Sequence, residues 1–200
     1  MREENAAGDV LGPDEGATSR GELVLVIGGP IGSGKSSLAA GVARTLERRG
    51  VSCATIDLDL IYEMLEHEGA VKSDPAVWSR ARRMSGALTK AFLDDDLSVV
   101  IAEGEFLEEP ARREFVTMLP DRTRVRFVTL TVPFSAALDR VARDPTRGVS
   151  RNHDFLAHHY REIEPVLRRR PSDDLVLDTE RMTLEQSVRV VLDWALEAAV

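Results

Sequence analysis

One short run decides most of what this chain can become: Gly29, Pro30, Ile31, Gly32, Ser33, Gly34, Lys35 and Ser36, with Ser37 behind them. It satisfies G-x-x-x-x-G-K-[ST] without a mismatch. The context is also the one the pattern requires, an apolar strand before it (residues 23–27) and an alanine-rich helix after it. Small residues let backbone N–H groups surround phosphate oxygens, and the N-terminus of the following helix adds about half a positive charge. Lys35 is then expected on the β- and γ-phosphates and the Ser36 hydroxyl on Mg²⁺. A bare glycine turn would need neither the lysine nor the hydroxyl.

Around this run the chain alternates between two periodicities. After a helix at about 35–49, closed by Gly50, β-branched strands are predicted at residues 51–57, 98–104, 124–132 and 174–179. Helices are predicted at about 59–67, from 73 to about 93, and near 109–118, 134–143, 152–168 and 183–198. Continuous apolar strands separated by helices describe a parallel sheet covered on both faces. Ligands of such sheets sit at the carboxyl ends of the strands, so the residues after each strand are the candidates.

Asp57 and Asp59 follow the second strand. A carboxylate there faces the phosphates, where it can take a proton from an attacking hydroxyl or help hold Mg²⁺. The competing role is capping the helix that begins near Leu60. Glu103 and Glu105 follow the third strand, Glu103 as the metal-side residue and Glu105 as the acceptor-side one, with two solvated carboxylates as the alternative. After the fourth strand and its helix come Arg140, Arg143, Arg147 and Arg151, with Asp-Pro and Arg-Gly breaking the helix between them. Arg147 and Arg151 are therefore expected on a short arginine lid near 144–151 that brings positive charge onto a transferring phosphoryl group. For Arg140 and Arg143 a solvated helix end competes evenly, and Arg143 is carried forward as the nucleotide residue. His153, His158 and His159 complete no metal-ligand spacing and are read as surface or lid-helix residues.

The chain of 200 residues suits one domain, residues 22–200, preceded by a polar tail over residues 1–21 that lacks the apolar run of a secretory signal. No apolar stretch reaches membrane-spanning length, and the single Cys53 has no internal disulfide partner. A cytoplasmic protein, monomer or homodimer, is expected. The net charge of −8 disfavours a long nucleic-acid partner and leaves a small hydroxylated acceptor.

The glycine loop, the Asp pair, the arginine lid and the closing "LVLDTERMTLEQSVRVVLDWAL" together resemble the P-loop kinases of the small-molecule type. That group includes chloramphenicol phosphotransferase, gluconate, shikimate and adenylylsulfate kinases and the zeta-toxin-like kinases. The resemblance covers about residues 22–198 and implies a nucleoside-monophosphate-kinase-like α/β/α fold with a five-stranded parallel sheet in the order 2-3-1-4-5. It implies ATP and Mg²⁺ as cofactors, with Ser36, Asp57 and Glu103 on the metal side. "DLIYEML" is similar to the segment of chloramphenicol phosphotransferase that starts with its catalytic aspartate, which puts the base on Asp59. Thr179 resembles the start of the loop that passes the adenine. Phosphorylation of an antibiotic, sugar or nucleoside-like hydroxyl is the leading expectation. A zeta-toxin-like or polynucleotide-end kinase and a nucleotide-driven ATPase or switch are the alternatives.

Overall fold

A computed structural model describes residues 22–66 and 73–197. The expected tail, and the ends of the helices expected to reach residues 67 and 198, lie outside them. Five strands form one parallel sheet, β1 (Leu23–Gly28), β2 (Cys53–Asp57), β3 (Val99–Gly104), β4 (Arg124–Thr131) and β5 (Leu175–Asp178), in the order β2-β3-β1-β4-β5. The helices are α1 (Lys35–Arg48), α2 (Leu58–Leu65), α3 (Pro75–Asp94), α4 (Glu109–Val116), α5 (Phe134–Arg143), α6 (His153–Arg168) and α7 (Leu184–Leu196). Among the described residues, none is long and apolar enough to cross a membrane.

Strand β1 is buried along its whole length because both sheet faces are covered. Leu23, Leu25 and Ile27 face one core with Leu38, Val42 and Leu46 of α1 and Val188, Val191 and Leu192 of α7. The intervening Val24 and Val26 face the other, with Leu58, Tyr62, Ala81 and Phe115 from α2, α3 and α4. Each such side chain, fully removed from water, contributes about 1.5–3 kcal/mol before entropy is set against it. The result is the three-layer architecture expected from the alternation.

Helix starts carry their own sequence reasons. Asp74 caps α3 by accepting from Ala76 N at 2.7 Å, with Pro75 at the first helical position. Thr183 and Gln186 form a reciprocal capping box on α7. At α2 the boundary moves: the helix begins at Leu58, and Asp57 is the cap, its Oδ1 accepting from Asp59 N at 2.8 Å. Away from the strand ends, Arg112 of α4 forms a bidentate pair with Asp174 at 2.7 and 2.6 Å. Thr129 Oγ1 also donates to Asp174, and Arg112 Nε to Phe106 O. This buried group ties the loop after β3 to the start of β5.

Candidate active site

The strand order puts β1 between β3 and β4, so the chain turns away on both sides of the β1 carboxyl end and leaves a crevice there. The glycine loop fills it. Gly32 has φ +79°, and a Cβ on it would lie 3.0 Å from the Ala137 Cβ of α5, so both the backbone conformation and the close approach require glycine. The carbonyls from Gly29 to Gly32 are each drawn to a donor. Lys35 Nζ lies 3.0 Å from Gly29 O and 3.3 Å from Pro30 O, and Ser33 N donates to Pro30 O at 3.2 Å. Tyr160 Oη donates to Ile31 O at 2.9 Å, and Arg140 Nη1 to Gly32 O at 3.1 Å. Repulsive oxygens are thereby occupied elsewhere, as an anion-binding loop needs.

A small polar cavity opens beyond the loop, lined by Gly32, Gly34, Lys35, Ser36, Asp57, Asp59, Glu103, Gly104 and Arg147. Asp57 and Glu103 are register partners on β2 and β3, and Ile27 of β1 is paired with Glu103 on its other side. The Ser36 hydroxyl hydrogen-bonds the Glu103 carboxyl. Burial raises the Glu103 carboxyl above its ordinary value, the Ser36 bond opposes this, and the charge of Asp57 adds to it. Burial lowers the Lys35 ammonium, against the attraction of Glu103 and Asp59. Glu105 is raised by desolvation too, with Arg82 and Lys35 opposing, although its side chain keeps solvent contact at the rim and that desolvation is partial. Among the described residues, no group of three or more His, Cys, Asp or Glu is clustered as a metal cage.

A second cavity, lined by Ser33, Gly34, Ser37, Leu38, Arg140, Thr179, Met182, Leu184 and Ser187, meets the first at Gly34. Ser33 Oγ is buried without a hydrogen-bond partner among the described residues. Arg140 reaches Thr179 Oγ1 at 3.0 Å and Thr179 O at 2.6 Å, joining the glycine loop to the turn after β5.

The predicted residues are sorted by this geometry. Residues 29–37, Asp57, Asp59, Glu103, Arg147 and Thr179 gather around the two cavities, Gly29 to Ile31 through the loop itself. Arg143 does not: its side chain is exposed and lies 3.9 Å from Asp139 one turn back, because, six residues beyond Ala137, it is off the face that touches the loop. Arg140, one turn after Ala137, takes the place expected of Arg143. Arg147 is aimed by Asp144, which accepts from Arg147 Nε at 3.1 Å and from Thr146 N and Oγ1 at 3.0 and 2.6 Å. Arg151 ends a 3₁₀ turn (Val149–Arg151), is exposed, and lies outside the residues lining the polar cavity. His159 is not a surface residue: Ile31 N donates to its Nε2 at 3.1 Å. Its proton affinity falls to about 4 through burial and the nearby Lys35 and His158. Nothing in the local sequence around residue 159 announces a partner at residue 31.

Sheet order, glycine loop and paired carboxylates define a P-loop protein with the fold of the small-molecule kinases. The chain belongs to the AAA domain family, whose description matches residues 24–159. No curated protein sequence matches it. Among solved structures, the Mycobacterium tuberculosis APS kinase in complex with AMPPNP and APS is similar at 23% identity and a TM-score of 0.63, covering 90% of this chain and 99% of that one. A sugar kinase from Janibacter sp. HTCC2649 is similar at 21% identity and 0.62, covering 87% and 94%. Shikimate kinase from Acinetobacter baumannii in complex with shikimate is similar at 19% identity and 0.57, covering 89% and 95%. At these identities what is shared is the fold.

Proposed function

We propose that the protein is an ATP-dependent kinase that transfers the γ-phosphoryl group to a hydroxyl of a small molecule. The observation that carries this reading is the meeting of the two cavities at Gly34: one beside Arg140 and Thr179 suits a base, the other suits the phosphates and a reacting hydroxyl. Lys35 would bear on the β- and γ-phosphates, where the negative charge of the phosphate chain would favour its ammonium form against the desolvation that lowers it. Asp59, in the first turn of α2, would accept the hydroxyl proton, while Asp57 already commits one oxygen to the backbone. Arg147 would close on the transferring group from the segment 144–151. Ser36, with Glu103 behind it and Asp57 beside it, would hold a phosphate-borne Mg²⁺, which needs only one or two protein oxygens and would supply charge neutralisation to the phosphates. The named neighbours that act on APS, a sugar and shikimate support the small hydroxylated acceptor.

The test is incubation with ATP and Mg²⁺ against a panel of hydroxylated metabolites, sugars and antibiotics. ADP release that rises far above background with one acceptor, and is lost in Lys35→Ala, is expected. ADP release that no acceptor accelerates would assign the protein to the ATPases, and transfer only to RNA or DNA ends would assign it to the polynucleotide-end kinases.

A further inference from the structure

Two consecutive residues of α6 close on one residue of the glycine loop, through the two peptides on either side of its Cα. His159 Nε2 accepts from Ile31 N at 3.1 Å, and Tyr160 Oη donates to Ile31 O at 2.9 Å, across 128 and 129 residues of sequence. Pro30 has no N–H, so Ile31 is the first residue after Gly29 able to offer both backbone groups. Both are held by the same helix. The peptide that follows is held from the other side, by Arg140 of α5 on Gly32 O at 3.1 Å. Helices α5 and α6 flank the segment that carries Arg147, so both of its ends are fastened to neighbouring peptides of the loop. Phe134 at the start of α5 meets Tyr160 with ring centroids 5.4 Å apart and His153 at 5.5 Å, packing the two helices together beside the contact.

We infer that His159 and Tyr160 are positioning residues that set the phosphate-binding geometry of the glycine loop by fixing the two peptides that flank Ile31, and that they join this loop to the arginine-bearing segment. The role requires His159 as a neutral acceptor, and burial above all, with Lys35 from the loop side and His158 on its own helix adding to it, favours that form. Holding Ile31 this way leaves the N–H groups further along the loop at a fixed angle to the polar cavity. A loop with Ile31 released would still fold between β1 and α1 but would present those groups over a range of angles. Binding of a phosphate chain would then carry an ordering cost that the base does not share.

This inference rests on the kinase reading for its ligand, and the experiment separates the two. Calorimetric titration of the full chain with ATP·Mg²⁺ and, separately, with adenosine is made on the wild type and on His159→Leu, His159→Gln and Tyr160→Phe. Glutamine places an acceptor oxygen where Nε2 lies. His159→Leu is expected to weaken ATP binding about tenfold and Tyr160→Phe about three- to tenfold, each loss being that of one partly buried hydrogen bond. His159→Gln is expected to retain ATP affinity to within about threefold, and adenosine affinity should be unchanged throughout. A general loss of structure would lower both ligands together and would not be rescued by glutamine, so that pattern overturns the inference. So does a His159→Leu protein that binds ATP as the wild type does. A wild type that binds no ATP would sink the kinase reading. The latch itself is read without nucleotide, as faster hydrogen exchange of the Ile31 amide in His159→Leu than in His159→Gln. Should the leucine variant fail to fold, Tyr160→Phe, which loses only a hydroxyl, carries the same comparison.

Discussion

Replacing Arg140 by methionine removes three hydrogen bonds while keeping the aliphatic stem. The guanidinium reaches Gly32 O at 3.1 Å, Thr179 Oγ1 at 3.0 Å and Thr179 O at 2.6 Å. Hydrogen bonds from a charged donor are worth about 1.5–3 kcal/mol each, but three made by one half-buried group do not add, and about 2–4 kcal/mol in total is a fair sum. Placed wholly on nucleotide binding, that sum corresponds to a loss of about 30- to 1000-fold. Part of it belongs to the fold, because the Thr179 bonds join the turn after β5 to α5 whatever is bound. We expect ATP affinity to fall about 10- to 100-fold and unfolding free energy to drop by about 1–2 kcal/mol in Arg140→Met. Arg143→Met is the internal control: an exposed side chain 3.9 Å from Asp139 should change neither quantity by more than about 0.5 kcal/mol. Titration calorimetry and urea unfolding read the two. If Arg140→Met binds ATP within about twofold of wild type, or Arg143→Met is equally damaging, the bridge between loop and turn is not what organises the site.

Other perturbations address the remaining groups. Asp59→Asn should preserve ATP affinity while phosphoryl transfer to the acceptor falls about 10²–10⁴-fold in steady-state kinetics, and an equal loss in Asp57→Asn alone would reverse the assignment. Arg147→Ala, a change at the polar cavity, should lower kcat far more than it raises the KM for ATP, whereas Arg151→Ala should leave both nearly as they were; equal effects would return both arginines to a common role. Glu103 is raised by burial, so the folded chain holds its proton more tightly than the unfolded one, and its ionisation costs stability once pH climbs through the raised value. Glu103→Gln should therefore melt higher than wild type at pH 7 and lose that advantage as pH falls below the ordinary carboxylate range, while transfer activity is impaired. A variant that melts lower at neutral pH would contradict it.

The fold was legible because apolar runs of strand length alternate with helical ones and each is closed by recognisable chemistry, such as Gly50 after α1 and Pro75 at the start of α3. The gathering of Lys35, Ser36, Asp57, Asp59 and Glu103 at one cavity was legible too, since the parallel sheet itself places the residues that follow its strands. What depends on helical phase was less so. Arg140 and Arg143 look equivalent in sequence, and only the seating of Ala137 against Gly32 decides which of them meets the loop. Ala137, a small residue one turn before Arg140, was the available signal. The partnership of His159 and Tyr160 with Ile31 had none, because a half-buried imidazole 128 residues away leaves no local pattern.

That separation also orders events in time. The glycine loop leaves the ribosome before the groups that hold its peptides, which lie 108, 128 and 129 residues further on. At about 5–20 residues per second, roughly 6 to 26 seconds pass between synthesis of Ile31 and of His159. Contacts this distant close late, after the local helices and the neighbouring strands have formed. If those contacts set the grip on a phosphate chain, that grip is acquired only well after the loop itself is made, and nucleotide in the surrounding solution would stabilise the folded molecule while passing over its nascent forms.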